Sequence, residues 1–93
     1  MAERLKDDEI TERLQGSQWT RQDQEIVRDL ELQNFAEAMA LANRIAEVAE
    51  RRNHHPDILI HGWNKVRLSL TNHSAGGLTD TDFDVAKEFD AVI

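Results

Sequence analysis

Between Asn34 and Pro56 the chain reads NFAEAMALANRIAEVAERRNHHP, and the architecture turns on this stretch. Asn34 and Glu37 have the spacing of a helix N-cap and its reciprocal acid, close to a capping box. Phe35, Ala38, Met39, Ala42, Ile45, Ala46 and Ala49 then recur at three- and four-residue intervals, which places them on one stripe of a helix. The many alanines let such a helix approach a sheet closely. Pro56 disfavours helical geometry at His55, so the helix is predicted to end near Asn53. The His54–His55 pair then sits just past its C-terminus.

Downstream, Val66, Leu68 and Leu70 alternate with Lys65, Arg67, Ser69 and Thr71, the period of a strand with one buried face. A brief apolar run at Ile58–Ile60 precedes it and is broken at Gly62. Residues 72–77 read as a loop, after which Thr79 and Asp82 form a second cap pair. They open a helix expected to turn Phe83, Ala86, Phe89 and Ile93 inward. Upstream, Ile26, Arg28, Leu30 and Leu32 share one face of a strand over Glu25–Leu32, with Val27, Asp29 and Glu31 on the other. Arg28 intrudes on the apolar face. Ile10–Leu14 reads as a short helix stopped by Gly16-Ser17, and Trp19 falls in a turn or short strand. Residues 1–9 are expected to be a flexible N-terminus of a single domain spanning 1–93. The element order gives an α+β fold, a mainly antiparallel sheet with helices packed on one face.

Composition narrows the function classes. A chain of 93 residues buries a modest core and often gains from self-association, for which the Val66–Leu70 strand offers a candidate edge. The net charge of −7 repels phosphate backbones and anionic lipid, so neither direct nucleic-acid binding nor membrane association is expected. No apolar run approaches the ~20 residues of a membrane span. Met1–Glu9 lacks an apolar signal core, which makes a cytoplasmic location the expectation. Without cysteine there is neither a disulfide framework nor a thiolate zinc site.

The chemistry-bearing residues cluster in the second half: Glu50, His54, His55, Pro56, Trp63, His73 and Asp82. Histidine gives or takes a proton near neutral pH, and two adjacent imidazoles with a third on another segment point to proton transfer. Metal binding is disfavoured, because the spacing matches no HExxH or paired helical histidines. Nucleophilic catalysis lacks a cysteine, and Ser69 and Ser74 lack a nucleophile-elbow context. Singly, each residue also has a structural account. His54 and His55 can cap carbonyls or be solvated, His73 can be a surface histidine, and Asp82 suits the N3 position of the last helix. Glu50, one helical turn before His54, can orient an imidazole or be a solvated helix charge. Trp19 and Trp63 can be core or flat walls for a planar ring.

Jointly, Glu50-x3-His54-His55-Pro56, then Trp63, His73 and Asp82, resembles the signature of the pterin-4a-carbinolamine dehydratases. The similarity extends to Trp19, Phe35, Asn64-Lys65-Val66 and Gly77-Leu78-Thr79, and covers the chain from about Leu14 onward. The resemblance implies a four-stranded antiparallel sheet backed by helices, assembled as a homodimer or homotetramer. It implies dehydration of 4a-hydroxytetrahydropterin to the quinonoid dihydropterin and water, with neither metal nor organic cofactor. It further implies that His54, His55 and His73 surround the pterin C4a–N5 edge and that Glu50 orients His54 or bonds the ring. Trp19 and Pro56 would wall the heterocycle, and Asn72, Ser74 and Ala75 would offer backbone groups to its amide edge. The sequence departs from the family at Thr81, where some members carry a basic residue, and at Asn53, where an acid can precede the histidine pair. A non-catalytic relative acting as a protein-binding or dimerisation cofactor is the alternative.

Overall fold

A computed structural model describes residues 3–93. The elements run α1 (Asp7–Leu14), β1 (Thr20–Gln22), β2 (Glu25–Glu31), α2 (Phe35–Arg52), β3 (Asp57–His61), β4 (Lys65–Leu70) and α3 (Asp80–Val92). The strands form one antiparallel sheet in the order β1-β2-β4-β3, and the fold is α+β. Residues alternate faces along each strand, so the register sorts the side chains. Ile26 opposite Leu70, Leu30 opposite Val66, and Leu68 face the helices and join Leu41, Ile45, Val48, Val85 and Phe89 in one core. The other face carries Asp29 opposite Arg67 and Glu31 opposite Lys65. Hydrogen bonds of 2.8 and 3.1 Å from the Arg67 guanidinium hold the Asp29 carboxyl below the usual carboxylate range.

Arg28 lies opposite Leu68 on the helix-facing side, and its charge is accommodated at the periphery of the core. The guanidinium reaches Asp90 of α3, and the same carboxylate oxygen accepts the Trp19 indole N–H at 2.8 Å. Trp19 itself is buried and packs at a tilt on Phe89, with ring centroids 6.4 Å apart.

Four expectations need correction. β4 is not an edge: it pairs with both β2 and β3, and the edges are β1 and β3. The long α2 crossover lets the β3–β4 hairpin fold back with β4 innermost, where its Val66, Leu68 and Leu70 are buried best. The buried stripe of α2 is Ala38, Leu41, Ile45, Val48 and Ala49, whereas Phe35 and Met39 are 53% and 41% exposed and Ala46 is exposed. The helix is apolar over a wider arc than one sheet covers, and the branched side chains take the inward side. On α3, Val85 is buried while Ile93, beyond the last helical residue, is 39% exposed. At the other end, α1 begins at Asp7 rather than Ile10, and the Leu5 N–H donates to the Leu78 carbonyl at 2.7 Å. Within the segment read as flexible, Leu5 is thus bonded to the Leu78 backbone and Asp7–Glu9 are helical; Met1 and Ala2 lie outside the described residues.

Replacing Asp90 by alanine strands the buried indole N–H and the Arg28 guanidinium together. The expected loss is about 1–3 kcal/mol of unfolding free energy, read by urea denaturation.

Candidate active site

The end of α2 sets the direction of each histidine. Asn53 adopts the left-handed conformation, with φ 48° and ψ 43°. Its N–H bonds to the Glu50 carbonyl at 3.3 Å, and the His54 N–H reaches back to Ala49 at 3.1 Å. These two bonds make a Schellman ending, in which a left-handed residue reverses the chain and satisfies the last carbonyls. Asparagine is among the few side chains that tolerate this geometry, which accounts for Asn53 independently of any carboxylate role. The reversal separates the adjacent imidazoles. His54 is 14% exposed in its side chain and His55 is 54% exposed.

His54 turns inward onto α3, where its Nε2 lies 2.6 Å from Asp82 Oδ1. Asp82 is fully buried. Its other oxygen accepts the Thr79 N–H at 2.9 Å and the Thr79 hydroxyl at 3.2 Å, completing the capping box of α3. Asp82 thus keeps the N3 role that its position implies and adds a second one, holding His54. The signal for that second role was its place in the joint spacing with the histidines. His55 turns outward and its Nε2 bonds to Glu50. Glu50 therefore orients His55 rather than His54: the chain reversal at Asn53 removes the helical i, i+4 geometry that would have joined it to His54.

Asp57 pairs with Ser69, so the segment entering β3 and the segment leaving β4 lie at the same end of the sheet. That register brings Pro56 and the histidine pair to the end where Asn72–Ala75 leave the sheet. No hydrogen bond links His73 to the other two imidazoles among the described residues. His73 is exposed and lines a cavity of about 230 Å³ with Asp23, Gln24, Glu25, Thr71 and Asn72. The loop consumes most of its own donors. The Ala75 N–H bonds to the Asn72 carbonyl and side chain at 3.2 Å each, and the Gly76 N–H bonds to the His73 carbonyl at 3.2 Å. The N–H groups of His73 and Ser74 have no partner among the described residues.

Trp19 is not brought to the histidines. It contacts Asp90, eight residues beyond Asp82, which is about 12 Å along the axis of α3. Its 3% exposure and its bond to Asp90 make it a core residue, so it walls no ring beside His54. Trp63 is 61% exposed with φ 60°, in the β3–β4 turn at the opposite end of the sheet. Among the described residues, no group of three histidine, aspartate or glutamate side chains is placed to hold a metal ion, and no helix is long and apolar enough to cross a membrane.

The family model for pterin 4 alpha carbinolamine dehydratase matches residues 3–92. This chain belongs to that family. A relative from Roseiflexus sp. strain RS-1, named "Putative pterin-4-alpha-carbinolamine dehydratase", is 50% identical over an alignment of 94 positions that covers 100% of each chain. Among solved structures, the chain is similar to a transcriptional coactivator/pterin dehydratase from Brucella melitensis. That likeness has a TM-score of 0.87 at 29% identity and covers 96% of this chain and 97% of the other. A pterin dehydratase-like protein described as a RuBisCO assembly factor in the alpha-carboxysome shares the fold at a TM-score of 0.63. It is 19% identical, over 80% of this chain and 84% of that one. The dehydratase family thus supplies the frame in which Glu50, His54, His55, His73 and Asp82 are placed.

The left-handed residue is the hinge of this placement. Asn53→Val is expected to cost about 1–2 kcal/mol, because a β-branched side chain is strained at φ 48°. Asn53→Gly, free of that strain, leaves stability unchanged or raises it. Paired thermal and urea unfolding of the two variants checks the difference in sign.

Proposed function

We propose that this protein is a dehydratase that converts a 4a-hydroxytetrahydropterin to the quinonoid dihydropterin and water. Histidine general acid/base catalysis does the work, in the recycling of tetrahydrobiopterin or a related pterin. The observation that carries the proposal is His54, a mostly buried imidazole held by the fully buried Asp82 within the complete set of motif histidines. The names of full-length relatives support the reaction class.

The chemistry suits these groups. A base takes the proton from N5, and the electron pair of that N–H bond becomes the second bond between N5 and C4a. The C4a–O bond breaks, and the oxygen leaves as water with a proton from an acid. A positioned acid or base of this kind contributes ~100- to 10,000-fold. His54 is the base in this proposal, and His55 or His73 is the acid. Pro56 and Glu50 lie beside the histidine pair for contacts to the ring. In the Asn72–Ala75 loop, the unpartnered N–H groups of His73 and Ser74, rather than that of Ala75, are free for the amide edge of the pterin. No cofactor enters the scheme.

The test is the rate of dehydration of freshly generated 4a-hydroxytetrahydropterin against buffer alone. The protein accelerates it, and His54→Ala combined with His73→Ala lowers kcat by at least ~100-fold. A folded double variant that keeps the parent rate would sink the mechanism. A wild-type protein that captures a partner protein but never accelerates dehydration would favour the non-catalytic alternative.

The proposal takes a cytoplasmic homodimer or homotetramer as the working form. Supporting this are the exposed Phe35 and Met39 on α2 and the two open sheet edges, β1 and β3. Sedimentation at micromolar protein is expected to give a dimer or tetramer mass; a monomer would contradict it.

A further inference from the structure

We infer that Asp82 fixes the tautomer of His54, with the proton on Nε2, so that Nδ1 is the atom that takes the proton from the substrate. Asp82 is then a positioning residue, acting through the imidazole. The inference rests on the dehydratase reading for its consequence and, for the tautomer, on the contact between His54 Nε2 and Asp82 taken as a carboxylate.

The two oxygens of Asp82 are differently engaged. Oδ2 accepts both the N–H and the hydroxyl of Thr79. Oδ1 faces His54 Nε2 at 2.6 Å, and that nitrogen is its hydrogen-bond partner among the described residues. An ionised carboxylate only accepts, so the hydrogen between Oδ1 and Nε2 comes from the ring. A neutral imidazole has one N–H, and placing it on Nε2 leaves the lone pair on Nδ1.

Nδ1 is also open. It has no hydrogen-bond partner among the described residues, yet the buried side-chain polar atom left without one there is Asn64 Oδ1. His54 Nδ1 therefore reaches solvent-accessible space. Asp82 holds the ring at Nε2, and the Schellman bond from the His54 backbone N–H to Ala49 fixes the main chain that carries it. When Nδ1 takes the N5 proton, the resulting imidazolium keeps its Nε2–H on a buried carboxylate, which stabilises the charge as it forms. His55 has no comparable device. Its partner Glu50 is 75% exposed, and its own ring is 54% exposed, so water competes for both. The structure thereby separates two adjacent histidines of identical chemistry into a fixed base and a solvated group free to serve as the acid.

Asp82→Asn tests this directly. The amide oxygen still accepts from Thr79 and preserves the α3 cap, while the amide NH₂ now faces His54. The ring must then accept at Nε2 and carry its proton on Nδ1. Nitrogen-15 NMR of histidine-labelled protein at alkaline pH, with His54→Gln to assign the resonances, reads the tautomer without reference to activity. The expected result is Nε2–H in the wild type and Nδ1–H in Asp82→Asn. In the dehydratase assay, the variant loses kcat by at least ~100-fold with little change in KM. An Nδ1–H tautomer in the wild type would overturn the assignment, as would a variant that switches tautomer but keeps its kcat. Should the variant not fold, the wild-type spectrum alone decides. A wild-type protein with Nε2–H but no dehydratase activity would support the tautomer and count against the reaction.

Discussion

A carboxylate removed from water needs donors for both of its oxygens, and Asp82 draws them from two different elements. Thr79, at the start of α3, satisfies one oxygen; His54, just past the end of α2, satisfies the other. One buried side chain therefore closes the capping box of α3 and fixes where the chain stands as it leaves α2. The cap stabilises a helix whose Phe83, Val85 and Phe89 fill the core. Two elements of the fold are thus joined through separate atoms of one residue.

The same economy appears at Asn53. Two consecutive histidines in an extended segment point in opposite directions, and in a continuing helix they would lie about 100° apart. Neither arrangement alone anchors one ring in the core. The left-handed turn at Asn53 does so by pinning the His54 backbone to Ala49 and sending His55 out toward Glu50. The conformation needs a residue that tolerates positive φ, and the sequence supplies asparagine. The departure from the acid seen in some family members is accounted for by backbone geometry.

The sheet does the remaining positioning. With β4 innermost, the entry to β3 and the exit from β4 share one end of the sheet, which is where the motif segments converge. The opposite end holds the exposed Trp63 turn. Along α2, packing selects Leu41, Ile45 and Val48 for the core and leaves Phe35 and Met39 outside. The apolar arc of that helix exceeds what one sheet can cover. Arg28 is the reverse case, a charge on the apolar side of β2 that survives because Asp90 meets it at the rim of the core.

The sequence by itself determined the type of every element but the short β1, which it left as a turn or short strand at Trp19, together with the N-caps at Asn34 and Thr79 and the family signature. These depend on local period, capping and fixed spacing, which a linear sequence displays directly. It chose a stripe of α2 that is only partly the buried one, because apolar residues occupy adjacent stripes and only the competition to fill the core separates them. It put β4 at an edge of the sheet, because strand order depends on pairing partners distant in sequence. It grouped Trp19, which packs on Phe89 and Asp90, with the histidines and joined Glu50 to His54, since side-chain direction beyond a chain reversal is not encoded in spacing. Only the tertiary structure decided that Asp82 reaches across 28 positions to His54 while Glu50 takes His55, because burial and the turn at Asn53 set where each ring can point.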